Sequence, residues 1–477
     1  MLGMLNARKW LQQDIGSEFA GAKLGDARRT ERLQRIARAA ARLPARGFPK
    51  MVKSDVELEG VYRFLSNEAV ESVDVLKPHV SETMKRACQA PICLVVHDTT
   101  EFDFKGDSRE GLGFTNSKQQ GFYAHFSLAV LPGEARLPLG VCGLEHFVRT
   151  KRKGKTRKPH SYYTAQDPKR ESLRWFRMLD AVEEKRDGFE CIHVMDREGD
   201  IFDLMAAAAE RNARFIIRGD KERALANDAG YLQDVLQRLE PRAYRKAEVS
   251  ARFATKRHHT IPKRRKITRK ARTAKLSIGS STVELRRPKT GHAAAKSLKV
   301  NVVYVWENSP PRGEDPIDWL LVTTEPVETK KQLLAVVDNY RSRWIIEDFF
   351  KALKTGCAFE KRQLESYHAL TNALAVFAVI AWRLLLIRAL ARTDPNSRAT
   401  SAFNETQLAI LRHHLNLSKP LVNTNDALLA LARMGGHIRN NGDPGWLTLG
   451  RGFEELLVLE AGFQIAQKIL LGNAINH

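Results

Sequence analysis

Short apolar runs that stop at a polar residue constrain this chain more than any other feature. In PICLVVHDTTEF (91–102) the stretch Ile92 to Val96 has no polar face to offer to water, so it reads as a strand buried on both sides. The run delivers His97 and Asp98 at what is expected to be the strand's C-terminal end, where ligand-facing residues of α/β sheets sit. ECIHVMDREGD repeats the pattern with Asp196, just before a helix expected near Gly199, and RFIIRGD repeats it with Arg218 near the strand's end. FYAHFSLAVL (122–131) and LPLGVCGLEHFV (137–148), joined at Pro132-Gly133, read as an antiparallel meander begun by the Asp98 strand. A helix at about 168–186 completes the order strand, strand, strand, helix, strand, helix, strand, which is that of an α/β protein.

Charge narrows the partner. Among 477 residues Lys and Arg exceed Asp and Glu by 23, with a pI near 9.9, which points to a polyanion. A membrane surface fits poorly, because the longest apolar run, ALAVFAVIAW (373–382), is too short to span a bilayer and is followed by Arg383 and Arg388. The N-terminus lacks a signal-peptide pattern, and Cys88, Cys93, Cys142, Cys191 and Cys357 are scattered without a CxxC pair, so reduced thiols and no zinc site are expected. Basic residues concentrate in three places. LGDARRTERLQRIARAAARLPARG reads as a helix capped by Asp26, with Arg28, Arg32, Arg35, Arg38 and Arg42 in one stripe and few acids nearby to partner them. RTKRKGKTRK (149–158) holds seven cations in ten residues and reads as a loop. Residues 251–275 hold eleven cations and no acid, the basic tip of a β-rich insertion at about 220–318; the adjacent His258 and His259 lack spaced partner ligands and read as part of that loop. DWLLVTTEP then reads as a strand carrying Trp319.

The stretch YRSRWIIEDFFKALKTG (340–356) is expected to be one helix closed by Gly356. At about 100° per residue, Tyr340, Arg343, Glu347, Lys351 and Lys354 fall on one face, opposite Ile345, Ile346, Phe349 and Leu353. One carboxylate among cations and a phenol is either a surface ladder of charges or a face for phosphate. Asp98, Asp196 and Glu347 together form the set of oxygen ligands that a pair of Mg²⁺ ions takes, with positions left open for water and substrate phosphate. Glu101, Asp103, Glu198, Asp200 and Asp348 lie near enough in sequence to compete; Glu347 is preferred to Asp348 because it shares the face of Tyr340, Arg343 and Lys354.

Tyr340-x2-Arg343-x3-Glu347-x6-Lys354 resembles the Y-R-E-K signature of the insertion-sequence-four group of bacterial DDE transposases. The likeness extends over nearly the whole chain, through LGDARRTERL, GVYRFLSN, HDTT, GFYAHFSLAVL, DREGDI, RFIIR, DWLLVTTEPVE, RWIIEDFFKALKTG, ARMGGH and a final helix with Gly462. The resemblance implies an RNase H-like catalytic core with a β-rich insertion, consistent with the 151-residue separation of Asp196 and Glu347, flanked by an N-terminal helical DNA-binding domain and a C-terminal helical domain. It implies cut-and-paste transposition through hairpin ends, with Asp98, Asp196 and Glu347 holding two Mg²⁺ ions, for which Mn²⁺ substitutes. Tyr340, Arg343, Lys351 and Lys354 would hold DNA phosphates, Trp319 would stack on a flipped base, and Arg218 would touch DNA. Arg28, Arg29, Arg32 and Arg63 match the end-recognition region, and Gly462 a dimer contact; Gly219 and Asp220 stand where a relative carries a basic residue.

The expected domains are 1–75 (DNA-end binding), 76–368 (catalytic core) and 369–477 (dimerisation). The expected partners are double-stranded DNA, as transposon ends and as target, and a second copy of the chain in a synaptic homodimer; no membrane is expected, and the place is the bacterial cytoplasm at the nucleoid. Two alternatives remain at this level: an RNase H-like structure-selective nuclease without strand transfer, and a non-catalytic transposase-derived repressor. The presence of all three acids and of the whole Y-R-E-K set speaks against the second.

Overall fold

The structure is a computed structural model that describes residues 7–474 except 8, 12, 107, 118, 134–135, 151–169, 250, 254–266 and 439–443. The basic tract 151–158, most of the 251–275 tract, and His258 and His259 therefore lie outside the described residues. The chain forms two compact units, one of residues 1–159, 180–191 and 342–477, the other of 160–179 and 192–341.

In the first unit, helix α1 (Ala27–Arg42) is capped as its sequence predicts, the Asp26 carboxylate accepting from Arg28 N at 2.8 Å. Leu33, Ile36, Ala37 and Ala40 form its buried stripe. The arginines opposite are better partnered than expected: Arg28 pairs with Asp26, Arg35 with Glu31 and Arg38 with Asp14. Helices α2 (Asp55–Leu65) and α3 (Ser72–Ala87) lead to the sheet. Strand β1 runs Ile92–Phe104, well past Asp98, so the expectation that Asp98 ends the strand is wrong. The run after Val96, HDTTEFDF, is mostly polar, and it stays paired because β3 (Gln120–Val130) follows the strand residue for residue, from Leu94↔Val130 to Phe104↔Gln120. The predicted meander is present: β4 (Pro138–Phe147) pairs antiparallel with β3, and the two-residue β2 (Gly113–Phe114) pairs with the start of β3.

The second unit holds the predicted helix α4 (Leu173–Glu183), which crosses from one unit into the other, and β5 (Glu190–Met195), whose residues from Ile192 belong here. Helix α5 (Phe202–Glu210) follows, then β6 (Arg214–Arg218), parallel to β5 as the strand–helix–strand order requires. After helix α6 (Leu232–Gln237) comes the β-rich part. It comprises β7 (Ala243–Val249), the short pair β8 (Arg252–Phe253) and β9 (Ile267–Arg269), β10 (Arg272–Arg286), β11 (Ser297–Glu307) and β12 (Asp318–Thr323). The order β5-β6-β12-β11-β10-β7 makes one mixed sheet, antiparallel after β6. One face packs on α5 through Phe202, Met205, Val300, Val302, Leu320 and Val322. Helix α7 (Lys330–Arg341) packs on the other strands, Asp338 pairing with Arg245 of β7.

The first unit resumes with α8 (Trp344–Lys351) and the long α9 (Tyr367–Thr393). Helix α9 is long and apolar enough to cross a membrane, but most of its apolar window is buried in the protein, as a central packing helix would be. Helices α10 (Glu405–His414), α11 (Thr424–Met434) and α12 (Trp446–Ala474) complete it. Helices α11 and α12 cross so closely that a Cβ at Gly435 or Gly452 would collide with backbone of the facing helix. Close approach within the chain thus belongs to Gly452; an added Cβ at Gly462 would meet nothing within 4 Å. Four of the five cysteines are buried thiols and Cys88 is exposed, with no disulfide among the described residues.

Candidate active site

The expected single helix 340–356 is two helices and a widened turn. Helix α7 ends at Arg341, Ser342 and Arg343 form a turn, α8 begins at Trp344, and residues Ala352–Gly356 are a π-turn. At the turn, Ile345 N and Ile346 N bond back three residues, to Ser342 O and Arg343 O; at the far end Cys357 N bonds back five, to Ala352 O. Three-residue bonding overwinds the chain and five-residue bonding underwinds it, so the 100° wheel does not hold from Tyr340 to Lys354. Of the expected common face, Arg343, Glu347 and Lys351 keep i,i+4 spacing along α8 and its N-cap, whereas Tyr340 precedes the turn and Lys354 lies in the π-turn, outside that regular helix.

What the turn provides is the placement of Arg343. Its guanidinium is buried and donates from Nη1 to Asp98 Oδ2 at 2.8 Å and from Nη2 to Glu347 Oε1 at 3.1 Å. The Glu347 contact is the i,i+4 spacing of a helix, while the Asp98 contact joins residues 245 apart in sequence. Asp98 also accepts from Thr99 N at 2.8 Å. Two carboxylates from unconnected elements therefore converge on one cation. Asp348, the competitor of Glu347, is turned to different cations, Lys351 at 3.6 Å and Arg388 at 3.4 Å. Lys354 is 3.5 Å from Glu360 and lies over the Phe102 ring, 5.4 Å from its centre. Glu101 accepts from Asn116 N at 3.0 Å.

In the second unit Asp196 follows β5 and caps the short turn Arg197–Gly199, accepting from Glu198 N at 2.9 Å. Its sequence competitors are committed elsewhere: Glu198 pairs with Arg174, and Asp200 with Arg223 and the backbone of Asp220. Burial raises the Asp200 carboxyl above its usual range despite Arg223. Trp319 on β12 meets Tyr340 edge to face, ring centres 5.7 Å apart, and the Arg218 guanidinium lies 5.8 Å from the Trp319 ring while donating to Asp318 O at 3.1 Å. Arg218 Nε is buried with no hydrogen-bond partner among the described residues. Tyr340 is only 3% exposed, so it supports Trp319 from behind rather than lying on an open helix front.

Near the N-terminus, Arg28 is almost fully exposed beside Asp26, Arg29 donates to Leu24 O at 2.8 Å, and Arg63 pairs with Glu59 at 2.9 Å. The Arg32 guanidinium lies where a side chain at Gly60 would be, so the glycine in α2 makes its room. Gly462 sits in an exposed stretch of α12.

Two family models match the chain. Residues 8–70 match the family described as transposase DNA-binding, which makes this a DNA-binding protein of the transposase class. Residues 176–383 match the transposase DDE domain, a span that contains Asp196 and Glu347 and excludes Asp98. The chain is a DDE transposase. Among solved structures it is similar to a cryo-EM structure of the piggyBac transposase synaptic complex with hairpin DNA, at a TM-score of 0.35 and 8% identity over 82% of this chain and 76% of that one.

The bond from Arg343 to Asp98 was outside the reach of sequence reasoning. The signal available, a cation four residues before an acid, named the pair Arg343–Glu347 but could not name a third residue 245 positions away.

Proposed function

We propose that this protein is a cut-and-paste transposase of the insertion-sequence-four group, nearest in kind to the transposon-five transposase. The observation that supports it most is the convergence of Asp98 and Glu347 on Arg343, in a chain with transposase DNA-binding and DDE domains. Residues 1–75 hold the transposon end through Arg28, Arg29, Arg32 and Arg63; residues 76–368 are an RNase H-like core; residues 369–477 serve dimerisation. Water cleaves one strand at each end, the freed 3′-hydroxyl attacks the opposite strand to close a hairpin, water reopens it, and the 3′-hydroxyls join target DNA.

DDE domains use divalent ions, and the donor chemistry suits one: Asp98 and Glu347 offer hard oxygen atoms converging on a point already occupied by positive charge. Asp98, Glu347 and Asp196 would hold the ions, two Mg²⁺ or Mn²⁺. Bound there, such ions would supply Lewis acidity toward a water or hydroxyl and toward the leaving oxygen. Arg343 holds the two carboxylates together before DNA arrives, then becomes available to a phosphate. Lys351 and Lys354 neutralise neighbouring phosphates. Trp319, steadied by Tyr340 and flanked by Arg218, stacks on a base turned out of the duplex, offsetting the stacking lost at the hairpin. Exposed Val458, Phe463, Ile465, Ile469 and Leu470 of α12 surround Gly462 and suit a second copy of the chain. With DNA as its substrate, the protein would work in the bacterial cytoplasm at the nucleoid.

The test is cleavage of a fragment carrying the inverted repeats that flank the gene. With Mg²⁺, hairpin ends should appear and chase into strand-transfer products, and Glu347→Gln should abolish both. Cleavage of any branched DNA without strand transfer from pre-cut ends would refute the transposase mechanism in favour of a structure-selective nuclease.

A further inference from the structure

The sheet of the second unit carries a set of aromatic and basic side chains that neither the carboxylate site nor Trp319 uses. Along a strand successive side chains alternate between faces, and residues paired across strands share a face. Tyr244 of the edge strand β7 pairs with Ser277 of β10, which pairs with Trp306 of β11, which pairs with Asp318 of β12. These four form one row across the sheet. Trp319 is the next residue after Asp318 and so belongs to the opposite face.

Two further aromatic and basic contacts extend the row. Tyr304, two residues before Trp306, stacks on it with ring centres 5.1 Å apart and planes 18° from parallel. Lys221 lies 4.8 Å from the Tyr304 ring and donates to its hydroxyl at 3.1 Å, while its charge is met by Asp318. Between the two aromatic ends Ser277 is small and fully covered, accepting from Asn308 Nδ2 at 2.8 Å. At the other end Tyr244 is 67% exposed, an unusual placement for a large ring in a folded sheet.

The neighbouring row on the same face is Lys246 of β7 opposite Lys275 of β10, both exposed. Like charges directly across strands cost stability. A lysine on an edge strand guards that edge against pairing with another chain, which accounts for Lys246. It does not account for a second lysine directly opposite, Lys275, which pairs only with Lys246, the β10–β11 ladder beginning at Leu276. Two facing lysines beside a line of aromatic rings are accounted for by an anion whose repeat brings both a phosphate and a flat apolar face.

We propose that the end of this face, beyond the part that packs on α5 and built from Tyr244, Trp306, Tyr304, Lys246 and Lys275, binds single-stranded DNA. Bases lie against the exposed Tyr244 ring and the Trp306–Tyr304 pair, and the phosphates run past the two lysines. Duplex DNA cannot use the rings, because its bases are already stacked. The surface is independent of the carboxylate site, and its test uses DNA unrelated to transposon ends, without divalent ions, so that a failed cleavage mechanism would leave the result unaffected.

Binding of the full-length protein to a fluorescein-labelled twenty-nucleotide thymidine strand and to a mixed-sequence duplex of equal length is measured by anisotropy in EDTA. Because alanine replacement of a stacking ring removes about 1–3 kcal/mol per base, Tyr244→Ala should weaken strand binding roughly 5- to 150-fold and change duplex binding less than about twofold. Lys246→Gln with Lys275→Gln should lower the slope of log affinity against log salt for the strand. Tyr244 is exposed, so its removal leaves the fold intact, and photo-cross-linking with 5-bromodeoxyuridine gives a second measurement on the unaltered protein, expected in the peptides containing Tyr244 or Trp306. Unchanged strand binding by Tyr244→Ala, a parallel loss for strand and duplex, or cross-links confined to other peptides would each overturn the proposal.

Discussion

Replacing Arg343 by alanine separates two roles that the Y-R-E-K arginine could have, gripping phosphate or holding the carboxylates. The Arg343, Asp98 and Glu347 side chains are 10%, 17% and 34% exposed, so the network is largely withdrawn from water. Without the guanidinium, two carboxylates on the order of 6 Å apart, at an effective dielectric of about 20, repel by about 3 kcal/mol. Partial exposure of Glu347 discounts that figure, and about 2 kcal/mol is the expected loss of stability without metal. The same change removes the cation that a divalent ion must displace. Metal binding should therefore tighten in Arg343→Ala by about thirtyfold, the equivalent of 2 kcal/mol, although activity falls. Calorimetric titration with Mn²⁺ and denaturant unfolding, with and without EDTA, measure both quantities. Unchanged metal affinity and unchanged metal-free stability, together with weakened DNA binding, would refute the carboxylate-holding role and leave only the phosphate grip.

Two other perturbations test the scaffold. Glu18, Arg86 and His79 form a buried cluster in which Glu18 Oε2 is 2.6 Å from His79 Nδ1 and Val141 N donates to His79 Nε2 at 3.1 Å; Glu18→Gln strands Arg86 and should cost about 3–5 kcal/mol in denaturant unfolding. Burial opposes ionisation of Glu18, but the His79 hydrogen bond and the Arg86 charge prevail and hold its carboxyl at about 2, while burial pushes His79 down and His146 down to about 4. All three folded values lie below the unfolded ones, so the unfolded chain binds more protons in acid: stability should fall as pH drops from about 6.5 toward 4 through the histidines, and further below about 4.5 through Glu18, and a pH-independent unfolding midpoint across pH 7 to 4 would contradict this assignment. Gly452→Ala should drive α12 off the Leu431 carbonyl of α11 and lower the thermal midpoint by several degrees, whereas Gly462→Ala should leave monomer stability unchanged or slightly raised; equal effects at the two sites would sink the close-crossing account.

Local patterns in the chain determined much of this protein. Apolar runs of strand length placed β1, β3, β4, β5, β6 and β12; the Asp26 cap placed α1; and an unbroken apolar run with no polar stripe placed α9 in the interior, because each of these depends on residues within a few positions of one another. The three acids and Arg343 were legible as residue types at motif spacing. Their bonding was not. Strand β1 continues past Asp98 because β3 supplies partners for every residue to Phe104, and a backbone ladder outweighs the polar character of the residues it pairs. The helix at 340–356 breaks because hydrogen bonding shortens at Ser342–Arg343 and lengthens at Ala352–Gly356, and a wheel drawn at one fixed angle cannot register either change. Arg343 reaches Asp98 across 245 residues, a contact that only the folded chain brings within hydrogen-bond distance. The sequence determined which groups were available for chemistry; tertiary structure alone decided which oxygen faces which cation, because that depends on chain segments meeting in space.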